Sequence, residues 1–466
     1  LWSQKNPYYG IARIWQFFNN CGPEIWIGKE SGIGHGGKDM PRGRWIIPIL
    51  AKDWTTSSEM KRFYIRAITL LSALLICTAC HFRTNRTAAE INLLLDSLKS
   101  VYAPDIRIAY WKPELASASG DIILGGEVGD IQAFQAITQH ITGIYPNVVN
   151  NLRLLPVDEP GVQVNGQVNN SVAHMKSEPS HRAELVSEAL LGTPVRILKE
   201  EEGWYLVQTP NLYLGWVIAA AVAPLDQSRV HSLKISEKII YSRQYGFAYT
   251  EPDENSLPVS DLVAGSILPV CSSKSGFYEV TFPDSARAWV KQAEVTDMMD
   301  LFNQPFSTAN LVRTALKFNG IPYLWGGSSS KAIDCSGFTS IVYYLNGIIL
   351  MRDANQQSLC GRVVTTQYNP ADLLPGDLLF FGTRSGENQA ERVTHVAIYL
   401  GDSEFIHASE NLGKVGISSM DPSRYNHIEG YDDLFVRAVR PTGMEGDGFQ
   451  SIIDNPFYKE IIKPVK

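Results

Sequence analysis

Three residues of this chain have the types and spacing for covalent chemistry: Cys335, His395 and His407. Cys335 stands in Asp334-Cys335-Ser336-Gly337-Phe338, and Phe338, Ile341, Val342 and Leu345 then recur at i, i+3, i+4 and i+7 before Asn346-Gly347. That spacing predicts a helix with the cysteine at its N-terminus. There the exposed backbone N–H groups and the positive end of the helix dipole are expected to lower the thiol pKa and to hold an oxyanion. Taken alone, such a cysteine is a packing residue, and a base is needed to reverse that reading. Arg392–Leu400 alternates as a strand with Val393, His395, Ala397 and Tyr399 on one face, and Glu404–Ala408 puts Phe405 and His407 on one face of the next. Gly401-Asp402-Ser403 joins the two. An odd loop sets both histidines on the same face, a two-residue loop separates them, and the odd loop is expected here. His395 is then the base for Cys335, and His407 holds its imidazole in the working tautomer and orientation.

The elements that must position these groups follow a change of pattern after Leu301. Ala309–Phe318 reads as a helix closed by Gly320, and Pro322-Tyr323-Leu324-Trp325-Gly326-Gly327 as a turn-rich connector. Upstream lies an internal repeat: Glu178-Pro179 recurs as Glu251-Pro252, Gly192 as Gly265, Gly203 as Gly276, Tyr205 as Tyr278 and Trp216-Val217 as Trp289-Val290, each at an offset of 73. Short strands between turn residues make each copy a small all-β barrel. Before the repeat, helical spacing over Thr87–Val101 and Asp130–Ile144 alternates with strands expected over Ile106–Trp111, Asp121–Leu124 and Val148–Leu155. This is a small α/β module whose pattern weakly resembles the BON-type domains of exported bacterial proteins, and it carries no evident chemistry.

The run from Met60 has Lys61, Arg62 and Arg66, then apolar Ala67–Ile76, then Cys77-Thr78-Ala79-Cys80. It is shorter than the ~20 apolar residues of a stable bilayer span. It resembles a bacterial lipoprotein signal in which Cys80 is lipidated. Cys77 stands where Leu is usual, so an ordinary secretory signal remains an alternative. Met60 reads as the true start, with residues 1–59 a non-native or disordered extension. A formal net charge of −7 without a basic block gives no footprint for nucleic acid. No pair of C-x-x-C motifs suggests zinc, and no metal or organic cofactor is expected.

Five stretches occur in order over residues ~309–440: P-Y-L-W-G-G, D-C-S-G-F, L-P-G-D-L-L-F-F, T-H-V-A-I-Y-L-G and F-I-H-A-S. Together they resemble the NlpC/p60 family of papain-like cysteine peptidases of the bacterial cell wall. The G-W-Y-x-V and G-W-V signatures of the repeat resemble bacterial SH3-like domains, and the combination resembles the γ-D-glutamyl-L-diamino acid endopeptidases of that family. The resemblance implies a Cys335–His395–His407 triad, a Tyr323 hydroxyl near the oxyanion, and an Asp334 carboxylate on the free amine of the substrate's N-terminal L-Ala. It also implies an acid and an aromatic residue from the first barrel, for which Glu184 and Tyr213 are the candidates; a surface acid and a barrel aromatic are the alternative. Ser336 and the Arg352-Asp353-Ala354-Asn355 loop, Asn355 above all, are candidates for further polar contacts.

The expected chain is thus multi-domain α+β: extension 1–59, signal 60–80, α/β module 81–160, SH3-like barrels 165–225 and 240–297, papain-like α+β NlpC/p60 domain 301–440 and tail 441–466. Its expected partners are a peptidoglycan stem peptide and, through the lipid anchor, a membrane at the cell envelope. Two rivals stand beside the endopeptidase: a thiol amidase or transpeptidase on another acyl substrate, and a non-enzymatic wall-binding lipoprotein.

Overall fold

The computed structural model describes residues 58–462 apart from 119–120, 158, 160, 387–388 and 441–448, so nearly all of the expected extension lies outside it. The chain divides into two units, 1–72 and 73–466. Helix α1 (Ser58–Tyr102) includes the basic and apolar run, in which Ile65, Ile68, Leu70 and Leu71 are exposed. Among the described residues no helix is long and apolar enough to cross a membrane. The Cys80 side chain lies outside the described residues.

In the second unit, the later turns of α1 bury Ile91, Leu95 and Leu98 against Ile122, Leu124, Ile137 and Ile141. These come from strand β2 (Asp121–Val128), antiparallel to β1 (Trp111–Ala118), and from helix α2 (Ile131–Ile144), whose N-cap Asp130 accepts the Ala133 N–H. The strand expected over Val148–Leu155 is two short pieces, Val149–Asn150 and Arg153–Leu154, each parallel to β2. The strand expected over Ile106–Trp111 forms only at its last residue. Its first part is a turn in which the Asp105 carbonyl accepts the Ile108 and Ala109 N–H groups and the Asp105 carboxylate accepts the Arg107 N–H. A short acidic side chain that bonds its own backbone competes with the sheet ladder, and the result aims Arg107 away from the module.

The repeat is a duplicated fold. Numbered in chain order, the seven strands from Asn165–Val168 to Val222–Leu225 and the seven from Lys238–Tyr241 to Val295–Asp297 lie side by side in the same order, 7-1-4-5-6-2-3. The backbone repeats with the sequence: Glu202 and Ser275 share φ values of 48° and 49°, and Leu212 and Ser285 are also left-handed, at 65° and 77°. Gly192 has φ 81° and faces the Ile267 carbonyl of the other barrel, which a Cβ would approach to 2.0 Å, so this turn admits only glycine. The Ile267 N–H donates to the Leu191 carbonyl, so backbone bonding ties the barrels together.

In the C-terminal domain, α3 (Thr308–Lys317), α4 (Cys335–Tyr344) and the short α5 (Ala354–Gln357) precede a six-stranded sheet. Its strands are β3 (Arg362–Thr365), β4 (Leu378–Thr383), β5 (Arg392–Gly401), β6 (Glu404–Ser409), β7 (Lys414–Ser419) and β8 (Phe435–Arg440), in the order β3-β8-β4-β5-β6-β7. Phe338, Ile341 and Val342 of α4 share one buried cluster with Leu378, Phe380, Val396 and Ile398. Burying one such side chain contributes roughly 1.5–3 kcal/mol, so α4 is clamped to the sheet that carries the histidines. The stretch expected to be a tail is docked as well. Gln450–Ser451 pairs with Ile348–Ile349, and Tyr458, Ile461 and Ile462 are buried with Leu225, Ile267 and Phe302. Sequence reading missed this because the apolar residues of so short a segment acquire partners only from distant parts of the chain.

Candidate active site

Cys335 is the first residue of α4. Its neighbour Asp334 is the N-cap and accepts the Gly337 N–H at 2.7 Å. The thiol is 9% exposed and receives hydrogen bonds from the backbone N–H groups of Ser336 and of Val396, the residue after His395. Its pKa departs from the sequence expectation: burial first, and the Asp334 carboxylate second, push it up to about 12. The backbone donors act downward, yet loss of water around the thiolate outweighs them.

The two histidines meet by a route that differs from the expected odd loop. The turn is Asp402-Ser403, two residues with φ 51° and 63°, but a bulge at Leu400 adds one residue to β5. With Ile398 opposite Ile406 beyond the bulge, His395 and His407 share a face on a diagonal. Another bulge, at Thr394, bends β5 just before His395. His395 Nε2 lies 2.7 Å from His407 Nδ1, and His407 Nε2 lies 3.0 Å from Ser418 Oγ. The nitrogen with which His395 can take a thiol proton is therefore Nδ1. For that Nδ1 to be unprotonated, Nε2–H must donate to His407 Nδ1, and the His407 Nε2–H must donate to Ser418. His407 is fully buried, and burial holds its pKa well below the ordinary range. Burial also lowers that of His395 to about 4, opposed by Asp334. Burial thus favours the neutral form of both the thiol and the imidazole.

A second network joins the helix of Cys335 to the first barrel. Both Asp334 oxygens are taken: Oδ1 by Gly337 N, Ser336 Oγ and Arg352 Nη1, and Oδ2 by Gly326 N and Arg352 Nη2. Arg352, 2% exposed, also donates to Ser336 Oγ and to Ser187 Oγ of the barrel. Next along the loop, Asp353 Oδ2 accepts the Tyr213 hydroxyl at 3.1 Å and Arg107 Nη1 at 2.6 Å, and Asn355 Oδ1 accepts the same Arg107 nitrogen at 3.1 Å. Glu184 accepts the Trp325 indole N–H at 2.7 Å. Tyr323 is half-buried, and burial and the nearby Cys335 raise its phenol pKa, so it stays a donor beside the thiol. A cavity of about 100 Å³ lies between the barrel and α4, but neither Cys335 nor either histidine lines it.

Residues 320–428 match the NlpC/P60 family model, and residues 176–222 match the bacterial dipeptidyl-peptidase Sh3 domain. The dipeptidyl-peptidase 6 of Lysinibacillus sphaericus is 31% identical over 262 residues, 54% of this chain and 89% of that protein. The chain belongs to the NlpC/P60 family. It is a cysteine peptidase by that membership. The γ-D-glutamyl-L-lysine dipeptidyl-peptidase of Bacillus cereus (strain ATCC 10987 / NRS 248) is also 31% identical, over 53% of this chain and 73% of its own length. A solved NlpC/P60 family protein from Bacillus cereus ATCC 10987 has the same fold, with a TM-score of 0.51 at 23% identity over 59% of this chain and 99% of that one.

Two residues beside the histidines of this NlpC/P60 site escaped sequence reading. Ser418 bonds His407, and the Tyr431 ring lies 6.0 Å and 5.9 Å from the rings of His395 and His407. A serine in a strand and a tyrosine after Gly430 give no periodic signal. Arg352 and Asp353 were in view as part of a loop whose last residue, Asn355, was singled out. Two charged residues directly after a helix–turn–strand segment were the available clue. Cys360 is buried, its thiol donating to the Gln356 carbonyl at 3.4 Å, and Cys271 is exposed. Among the described residues no group of three His, Cys, Asp or Glu could hold a metal ion.

Proposed function

We propose that the chain cleaves the amide between γ-D-glutamate and the L-diamino acid of cell-wall stem peptides that begin with a free L-Ala. The relatives named as γ-D-glutamyl-L-lysine dipeptidyl-peptidases support that bond and that release of a dipeptide. The observation that carries the free amine is the charge balance around the nucleophile. Asp105, Asp334 and Asp353 form one ion-pair network with Arg107 and Arg352, three carboxylates against two guanidinium groups, which leaves one negative charge without a cation. Asp334 is saturated by Arg352 and backbone donors, so the ammonium goes to Asp353, whose carboxylate already holds the Tyr213 hydroxyl, and Asp334 serves Arg352 instead.

In this reading His395 Nδ1 takes the Cys335 proton as sulfur attacks the γ-carbonyl, which fits a neutral resting pair: the proton moves only when a carbonyl is in place. Backbone N–H groups at the start of α4 and the Tyr323 hydroxyl receive the oxyanion. Collapse breaks the C–N bond, and the proton on His395 passes to the departing diamino-acid nitrogen. His395 then deprotonates water, which releases L-Ala-γ-D-Glu and restores the thiol. By this reading the site of action is the cell envelope, to which a lipid on Cys80 would hold the protein.

The test compares L-Ala-γ-D-Glu-diaminopimelate with its N-acetylated form. The intact enzyme should cut the free peptide at least ~10²-fold more efficiently, because acetylation removes the cation that balances the network's third carboxylate. Equal kcat/KM for the two would remove amine recognition from the function.

A further inference from the structure

The turn at Asp105–Ala109 belongs to the α/β module, before the first residue of either family match. It nevertheless reaches the loop that follows the nucleophile's helix. We propose that Arg107 is a positioning residue of the substrate site, which fixes the Asp353 carboxylate so that its other oxygen meets the substrate's ammonium group. This inference rests on the reading that a free amine binds at Asp353.

The geometry is that of a fixed strut. Asp105 holds the Arg107 guanidinium at two points, Nε at 2.8 Å and Nη2 at 2.7 Å, and leaves Nη1 for Asp353 and Asn355. Asp105 Oδ2 also accepts Gln356 Nε2 at 2.7 Å, which ties the same turn to α5. From behind, the first barrel grips the backbone: the Leu214 N–H donates to the Arg107 carbonyl, Gln208 Nε2 donates to the Ile108 carbonyl, and Ile108 packs on the barrel core. Three folding units therefore converge on one carboxylate. Arg107 and the Tyr213 hydroxyl both bond Oδ2, whereas Oδ1 lies 4.0 Å from Arg352 Nη1, which is itself engaged with Asp334 and Ser336, and the side chain also receives the Gln356 backbone N–H in a capping box. A carboxylate tethered through one oxygen cannot rotate the other away, and a pre-aimed acceptor binds a cation with less ordering cost. Because Asp105 neutralises Arg107, the strut orients Asp353 without cancelling the negative charge that draws the amine.

The experiment uses the full chain and steady-state kinetics on free and N-acetylated L-Ala-γ-D-Glu-diaminopimelate. Arg107→Gln should raise KM for the free peptide about tenfold with kcat changed much less, and should leave kcat/KM for the acetylated peptide near the parent value. Arg107→Lys, which keeps the charge, should regain part of the lost affinity. Combining Arg107→Gln with Asp353→Asn should cost no more than Asp353→Asn alone, since the strut then has nothing to aim. Unchanged KM in Arg107→Gln, a lowered KM indicating competition between guanidinium and ammonium, or additive losses in the double variant would each overturn the proposal. An intact enzyme that cuts both peptides equally would overturn it together with the amine reading, whereas discrimination undiminished in Arg107→Gln overturns this inference alone. Circular dichroism of each variant separates a lost strut from a lost fold.

Discussion

Arg352→Ala tests whether the Asp334–Arg352 pair holds the Cys335 helix in place. The arginine side chain is 2% exposed and makes four hydrogen bonds: to Asp334 at 2.7 and 3.2 Å, to Ser336 at 2.9 Å and to Ser187 at 3.0 Å. Its removal strands a carboxylate that is 7% exposed, directly beside Cys335. Breaking a buried pair in this way costs about 3–5 kcal/mol. Asp334 keeps the Gly326 and Gly337 N–H groups, which points to the lower end, about 3 kcal/mol. That energy should appear as easier opening around Cys335, so alkylation of this thiol, followed by peptide mass spectrometry to separate it from exposed Cys271, should quicken about 10²-fold. Arg352→Met with Asp334→Asn removes both charges and should recover at least ~1.5 kcal/mol of the loss. Alkylation at the parent rate in Arg352→Ala, or a double variant no better than the sum of the singles, would refute the ion pair as the element that holds this end of α4.

Cys335→Ala should keep the fold and lower kcat by more than about 10⁴-fold on the stem tripeptide, with His395→Ala close to it; turnover near the parent value in either would end the triad assignment. Ser418→Ala removes the acceptor of the His407 Nε2–H, and kcat should fall about tenfold at constant KM because the histidine pair can then adopt the wrong tautomer. The neutral pair predicts an acid limb of kcat/KM near pH 4, where His395 protonates, and slow alkylation of Cys335 at neutral pH that rises toward pH 12; fast alkylation with a plateau below pH 7 would show an ion pair instead. Stability has the same sign: His395 is held neutral in the fold, so its contribution is present above the ordinary histidine pKa and is lost as pH falls toward about 4. An acid-denaturation midpoint that moves to lower pH in His395→Gln checks it.

Much of the fold was legible because it is written in short-range pattern. The apolar spacing of α4, the alternation of β5 and β6, and the offset of 73 each report an element or a duplication that local sequence sets. What failed was decided by single side chains or by distant partners. Asp105 turned an expected strand into a turn by bonding its own backbone, and Tyr458, Ile461 and Ile462 became core only because barrel residues some two hundred positions away receive them. The Asp402-Ser403 turn shows a subtler case. Loop length alone would have put His395 and His407 on opposite faces, and the bulge at Leu400, which no residue type announces, restored the shared face.

The same division runs through the site. The proposed nucleophile, base and orienting residue all lie within one domain and within 72 positions of one another, Cys335 to His407, so their order along the chain carries information. The residues proposed to receive the amine and to aim its acceptor do not share that property: Arg107, Tyr213 and Asp353 come from three folding units and meet only through tertiary contacts. A sequence read without its fold naturally assigns the ammonium to the acid next to the nucleophile, which is Asp334. Electrostatics argues against that choice. An N-cap carboxylate that already bonds a buried guanidinium and two backbone N–H groups has no lone pair and no net charge to offer, and drawing it toward a substrate would strand Arg352. The carboxylate with charge to spare lies one residue beyond that arginine, at Asp353, where the barrel and the α/β module can both reach it. If that assignment holds, specificity for the acyl side of the substrate resides at the seams between units, while the chemistry stays inside the most autonomous of them.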